Sequence, residues 1–314
     1  MSKQAAQNTT NQITEGVIWK QLLIFFFPIL FGTFFQQLYN TADAIIVGNF
    51  VGKEALASVG GSASTIINLL VGFFVGLSSG ATVIISQYYG ADNRRRVSDS
   101  VHTAIALAIA GGIVIMLLGL VSARFALTAM GTPDDILSLS LTYMKIYYLG
   151  TIPSMIYNMG SGILRAVGDS KRPLYFLIVC CLANVALDLI FVVWLDMEVA
   201  GAAIATTIGN VLASAYYLWY FLKKSRVLSI NWKHFTVGEG ILKRTCSSGL
   251  PTAIFSALMS VSTIVLNQLL VVYGNDPVAA IGIVFKANMF ITFLQMGLAN
   301  GVQPLLGYNY GSGD

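Results

Sequence analysis

Between residues 101 and 121 the chain runs for 21 residues without an Asp, Glu, Lys or Arg, and seven further apolar stretches of similar or greater length carry two charged residues at most. That pattern constrains the fold more than any motif does. About 20 apolar residues are needed to cross the hydrocarbon of a bilayer as a helix, and lipid cannot satisfy exposed backbone groups, so only helices or a closed barrel can cross it. Barrel strands run to about 10 residues with alternating polarity, which these stretches do not show. Composition agrees: 56% of residues are hydrophobic and 10% charged, against about 25% charged in soluble domains. A soluble enzyme or nucleic-acid-binding protein is excluded, and an all-α polytopic membrane protein is expected.

About eight spans are expected, at 17–47, 55–89, 101–121, 136–164, 174–195, 200–222, 246–273 and 278–308. Several exceed 25 residues, which implies tilt or extension past the lipid, and Pro28 and Pro251 mark kinks near the starts of the first and seventh. Fourteen of the 18 Lys and Arg fall on the N-terminal side of these spans, among them Lys20, Arg94, Arg95, Arg96, Arg165, Lys171, Arg172, Lys243 and Arg244. Cytoplasmic loops retain such residues, so the N-terminus and, with an even span count, the C-terminus are expected in the cytoplasm of a cell carrying this protein in its plasma membrane. The net charge of +4 reflects this asymmetry and is no nucleic-acid footprint. The polar tail 1–16 lacks the short apolar core of a cleavable signal, so the first span is read as a retained signal anchor. Cys180, Cys181 and Cys246 show no metal-ligand or disulfide spacing and are read as packing residues.

The chain also matches itself. Residues 75–93 (VGLSSGATVIISQYYGADN) align with 296–314 (MGLANGVQPLLGYNYGSGD), pairing Gly76, Leu77, Gly80, Tyr89 and Gly90 with Gly297, Leu298, Gly301, Tyr310 and Gly311, and upstream Pro28 pairs with Pro251. Six spans separate the matched helices, so the copies run in the same direction, as in parallel transporter repeats. The expected organisation is a tail 1–16, a six-helix N-lobe 17–224, a cytoplasmic linker 225–245 and a partial C-lobe 246–314 with two helices. A second copy of equal length would reach about residue 440, so the chain is expected to be C-terminally incomplete.

Acidic residues inside the spans are few. Asp43 lies near the outer end of the first and Asp188 in the outer half of the fifth. Each would cost about 2.5–3.5 kcal/mol facing lipid at mid-membrane, so a cavity or a partner is expected for both. Gln36, Tyr39, Asn40 and Asp43 recur at spacings of three and four on one helix face. Asn184 sits one turn before Asp188, and Thr206 lies at comparable depth in the sixth span. Two carboxylates, an amide and a hydroxyl offer hard oxygen ligands for a small cation, or a shared proton site; the alternative is that Asp43 and Asp188 only cap or reach the outer interface and that Asn184 and Thr206 are interhelical glue. Lys145 is read as snorkelling to the interface, and Lys286 as either a substrate or counter-ion site or half of a structural pair. Gly72, Gly76 and Gly80 are spaced for close helix contact.

One loop is more specific: Leu164-Arg165-Ala166-Val167-Gly168-Asp169-Ser170-Lys171-Arg172-Pro173. With the 28–43 stretch PILFGTFFQQLYNTAD, the Asn184/Asp188 pair and the 201–206 stretch GAAIAT, it resembles the multidrug and toxic compound extrusion (MATE) family of efflux transporters. The resemblance implies two six-helix lobes around a cavity open alternately to each side. It further implies export of organic, often cationic compounds against inward H⁺ or Na⁺ flow, with no cofactor beyond the coupling ion. It assigns the cation or proton site to Asp43, Asn184, Asp188 and Thr206, which would also be the metal ligands if Na⁺ is the coupling ion. Substrate-lining roles fall on Gln36, Tyr39 and Asn158, to which the polar stripe adds Asn40 and the intramembrane charge adds Lys286. Expected partners are a small organic substrate and the bilayer, with no nucleic acid, and the protein is expected to be a monomer and not an enzyme. Two alternatives stand beside antiport: a lipid-linked oligosaccharide flippase, and an intramembrane aspartyl protease, which would be expected to show Tyr-Asp and Gly-x-Gly-Asp signatures, whereas here Asp43 follows Ala42 and Asp169 lies at the membrane edge.

Overall fold

The computed structural model describes residues 18–224, 228, 239–273 and 275–313, and among these every regular element is helical. Helix α1 covers Ile18–Phe50, α2 Lys53–Gly60, α3 Ser62–Gly90, α4 Arg94–Ala129, α5 Asp134–Leu149 and α6 Thr151–Ala166. Helix α7 covers Lys171–Asp188 and continues as a π-helical segment Leu189–Trp194; α8 covers Glu198–Trp219, α9 Glu239–Val271 and α10 Asn275–Ser312. The expected tail lies outside the described residues, as does most of the linker.

Among the described residues, six helical stretches are long and apolar enough to cross a membrane: Trp19–Phe50, Lys53–Gly90, Arg94–Ala129, Lys171–Trp194, Glu198–Lys223 and Gly240–Leu270. They correspond to six of the eight stretches read from the sequence. The fourth is divided at Gly150 into two helices of 16 residues each. Gly150 closes α5 through its N–H to the Tyr147 carbonyl at 3.0 Å, and α6 restarts at once. A Cβ there would sit 2.7 Å from Thr207 Oγ1 on α8, so the glycine lets the broken backbone lie against its neighbour. The eighth falls in α10, several of whose side chains lie outside the described residues. Similarly, the second expected span is two helices, α2 and α3, meeting at Gly60 and Gly61. The outward surface is apolar, with Val121 84% and Trp194 85% exposed; such a surface needs lipid, not water, around it.

Sequence chemistry explains the local turns. After α6, Gly168 takes φ 89° and its N–H bonds the Arg165 carbonyl at 3.0 Å, while Asp169 N–H reaches the Leu164 carbonyl at 2.9 Å, closing the helix end. The Asp169 carboxylate then accepts from Arg172 N–H at 3.1 Å and pairs with the Arg172 guanidinium at 2.8 Å, starting α7. Arg172 also lies over the Tyr220 ring, 5.0 Å from its centroid, which ties this loop to the end of α8.

The internal repeat appears as reciprocal contacts. Gly80 and Gly76 of α3 pack on Gly249 and Ala253 of α9; Gly301 and Gly297 of α10, their sequence matches, pack on Phe26 and Leu30 of α1. With Pro28 matched to Pro251, Phe26 and Leu30 are the counterparts of Gly249 and Ala253, so each copy offers the other the same surface. The two contacts differ in closeness. A Cβ on Gly76 would lie 2.7 Å from the Ala253 backbone, whereas one on Gly297 would lie 3.6 Å from Leu30 Cα. Further along, Gly90 abuts the Tyr308 carbonyl, the Tyr89 and Tyr308 rings meet edge to face at 5.8 Å, and Gln303 donates to the Ser79 carbonyl at 3.3 Å. The helix ends that carry Arg94–Arg96 and Arg244 are thus drawn tightly together.

Candidate functional site

Helices α1, α2, α3, α5, α6, α7, α8, α9 and α10 line a cavity of about 740 Å³. From α1 it receives Gln36, Tyr39, Asn40 and Asp43, the polar stripe whose three- and four-residue spacing keeps it on one helix face. Helix α5 adds Tyr143 and Tyr147, α6 adds Ser154, Tyr157 and Asn158, α7 adds Cys180, Cys181 and Asn184, and α8 adds Thr206 and Asn210. Ser64 and Asn68 of α3 and Ser256 and Ser260 of α9 complete the polar lining.

Seven residues singled out from the sequence therefore share one wall: Gln36, Tyr39, Asn40, Asp43, Asn158, Asn184 and Thr206. Asp188 lies behind it, fully buried, one helical turn from Asn184. Lys286 belongs to α10, but its side chain is outside the described residues. Lys145 is exposed on α5, away from the cavity lining.

Asn184 joins these groups. With its Nδ2 toward the carboxylate, it donates to Asp188 Oδ2 at 3.2 Å while its Oδ1 accepts from Thr206 N–H at 3.1 Å. Turned over, it sets oxygen against oxygen at Asp188, and Nδ2 reaches Thr206 Oγ1 at 3.4 Å. The first orientation is the better one for an ionised Asp188. The second becomes favourable once a proton or a cation sits on that carboxylate, because the amide oxygen then has something positive to face. Asp43 Oδ1 and Asp188 Oδ1 are both buried without a hydrogen-bond partner. Two orphaned carboxylate oxygens, an amide oxygen and the Thr206 hydroxyl are a donor set fit for a proton or a hard monovalent cation. Among the described residues no cluster of three His, Cys, Asp or Glu is present, so a transition-metal centre is not indicated there. Immediately after Asp188 the helix widens into the π-helical turn Leu189–Trp194, closed by Leu195 N–H to the Ile190 carbonyl at 2.9 Å. Such turns often mark functional positions inside helices.

Several lining residues were not singled out by sequence reasoning. Tyr143 and Tyr147 line the cavity from α5 with their rings 6.2 Å apart, and Tyr157 lines both the cavity and the smaller pocket beside it. In sequence they look like ordinary apolar helix positions. Cys180 and Cys181, read as packing residues, both border the cavity, and Cys181 is buried with its thiol 3.8 Å from the Phe35 carbonyl of α1. Arg165 also stands differently from its sequence reading as a loop charge. It lines a smaller pocket of about 80 Å³ that shares Gln36, Tyr157, Asn158 and Leu177 with the large cavity.

A bundle of long apolar helices around a central polar chamber holding buried carboxylates defines a membrane transporter rather than an enzyme. The MatE family model matches residues 28–190 and 251–314, and the chain belongs to this family of multidrug and toxic compound extrusion transporters. The probable multidrug resistance protein YpnP of Bacillus subtilis is 30% identical over 306 residues, covering 96% of this chain and 67% of that protein. The multidrug export protein MepA of Staphylococcus aureus is 28% identical over 296 residues, covering 94% of this chain and 65% of its own length. The chain spans about two thirds of the length of these relatives. Among solved structures, a MATE multidrug resistance transporter in an outward-facing conformation superposes with a TM-score of 0.89 at 26% identity, over 96% of this chain and 67% of that one. A MOP superfamily transporter from Pyrococcus furiosus, described as having a binding pocket of reversed polarity, superposes at 0.88 and 27% identity, with coverage of 96% and 67%.

Proposed function

We propose that the protein is a secondary active antiporter that exports organic, often cationic compounds from the cytoplasm in exchange for inward H⁺ or Na⁺. The observation that carries this reading is the position of Asp43 on the wall of a 740 Å³ polar and aromatic cavity that is also lined by Asn184, the hydrogen-bond partner of the buried Asp188. Names of relatives such as multidrug export protein MepA support it.

In this mechanism an organic cation enters among Tyr39, Tyr143 and Tyr147, whose ring faces attract positive charge, and Asp43 balances that charge. A proton or Na⁺ taken up by the Asp43–Asp188 pair neutralises the same carboxylates, so the two ligands oppose each other. Asn184 reports the change by turning its amide. Coupling follows if the state open to one side holds the coupling ion more tightly than the other state does, since a ligand shifts an equilibrium only by its differential affinity. The tight glycine contact of α3 with α9 closes the basic ends of the helices, which the excess of Lys and Arg assigns to the cytoplasmic side; this supports a chamber open outward.

The reading includes eight spans in a monomeric plasma-membrane protein with a cytoplasmic N-terminus, arranged as a six-helix N-lobe followed by two helices of a second, repeated lobe. The test is efflux of a fluorescent organic cation from vesicles of cells expressing the protein, driven by an imposed H⁺ or Na⁺ gradient. Asp43→Asn and Asp188→Asn are expected to abolish gradient-driven efflux. Unchanged efflux with unchanged gradient dependence in both variants would overturn the assignment.

A further inference from the structure

Gln36 and Asn158 line both the large cavity and the small pocket, and so mark the level where the two join. From there Asp43 lies seven residues along α1 in one direction and Arg165 seven residues along α6 in the other. At 1.5 Å per residue that separates the two backbones by about 20 Å, and because helical side chains lean toward the helix N-terminus, the guanidinium leans back toward the junction. The two adjoining cavities therefore hold carboxylates at one end and a guanidinium at the other.

Among the described residues no carboxylate stands within 4.0 Å of Arg165; Asp169, close in sequence, is engaged by Arg172. The groups around it are neutral: Thr33, Gln36, Tyr157, Asn158 and Ser161. A partly buried guanidinium without a counter-charge is unfavourable, and a planar anion answers it with two parallel charge-assisted hydrogen bonds. At about 80 Å³ the pocket suits a carboxylate and little more.

We infer that Arg165 makes the small pocket an anion subsite, and that the compounds this chamber takes best are amphoteric, with a carboxylate against Arg165 and an amine or other cationic group toward Asp43. The inference rests on the efflux reading above and names its substrate class. Purely cationic compounds meet repulsion in the Arg165 half and occupy the tyrosine-lined half alone.

The test uses the purified chain in detergent and two dyes that differ only here: a rhodamine with a free carboxylate and its methyl ester, each titrated by fluorescence anisotropy. The free acid is expected to bind about tenfold more tightly than the ester. In Arg165→Gln that ratio is expected to fall to about one, while Arg165→Lys, which keeps the charge but not the fork, keeps an intermediate ratio. Benzoate, an anion without a cationic group, is expected to displace the acid and not the ester from the native protein, an outcome that needs no variant to fold. Equal affinities for acid and ester, a ratio unmoved in Arg165→Gln, or no displacement by benzoate would overturn the subsite. Binding of neither dye would overturn the efflux reading as well.

Discussion

Replacing Gly80 with alanine places a Cβ against the Thr245 carbonyl oxygen, 2.6 Å from Gly249 N and 3.0 Å from Gly249 Cα. All three contacts are backbone, so no side chain can swing aside, and α3 must move from α9 by roughly 1 Å to restore van der Waals distance. A gap of that size forfeits a quarter to a half of each contact's attraction along the seam, and forced overpacking of this kind costs about 1–3 kcal/mol. The matched substitution in the other copy, Gly301→Ala, brings its Cβ no closer than 3.5 Å to Phe26, ordinary contact distance. It should change stability by less than about 0.5 kcal/mol, the usual range for an unstrained change. Purified variants unfolded reversibly from micelles with a denaturing detergent would give both values under one set of conditions. Equal destabilisation by the two alanines would refute the claim that the repeat-related contacts differ in closeness. A stable Gly80→Ala would refute the close approach itself.

Asn184→Leu leaves Asp188 with no donor from α7, and the loss of that bond at a buried carboxylate should cost about 1–3 kcal/mol in the same unfolding assay; a cost below about 0.5 kcal/mol would mean that Asn184 does not hold Asp188. Cysteine alkylation separates cavity from surface: a bound organic cation should slow modification of Cys180, which lines the cavity, and leave Cys246 on α9 unaffected. Mass spectrometry of the labelled protein reads both sites, and equal protection of the two would contradict the placement of Cys180.

Much of the site was legible because one helix face carries it. Gln36, Tyr39, Asn40 and Asp43 stand out as polar residues at helical spacing in an apolar segment, and Asn184 and Asp188 form an i, i+4 pair whose side chains must meet. Thr206 could be matched to them only by depth, yet its backbone N–H does face the Asn184 amide. What stayed hidden depends on which way a helix is turned by its neighbours. Arg165 counts as a loop charge in any reading of topology, and only the packing of α6 against α3, α4 and α8 places it in the small pocket. Tyr143, Tyr147 and Cys181 carry no sequence mark that separates a cavity wall from a packed core. The breaks at Gly61 and Gly150 were equally silent, since glycine is common in membrane helices that continue unbroken. The glycines Gly76 and Gly80, read from their spacing as a close helix contact, do meet the α9 backbone, and their sequence matches Gly297 and Gly301 pack on α1.

The central claim is that substrate and coupling ion compete for the same pair of carboxylates. The most direct measurement is proton or Na⁺ release when an organic cation binds the purified protein, followed with a pH indicator in weak buffer and by titration at several Na⁺ concentrations. If the pair is shared, binding of a cation releases protons and tightens as pH rises, or weakens as Na⁺ rises, and Asp43→Asn removes the effect. Tight binding that releases no ion, and whose affinity changes with neither pH nor Na⁺, would contradict the account.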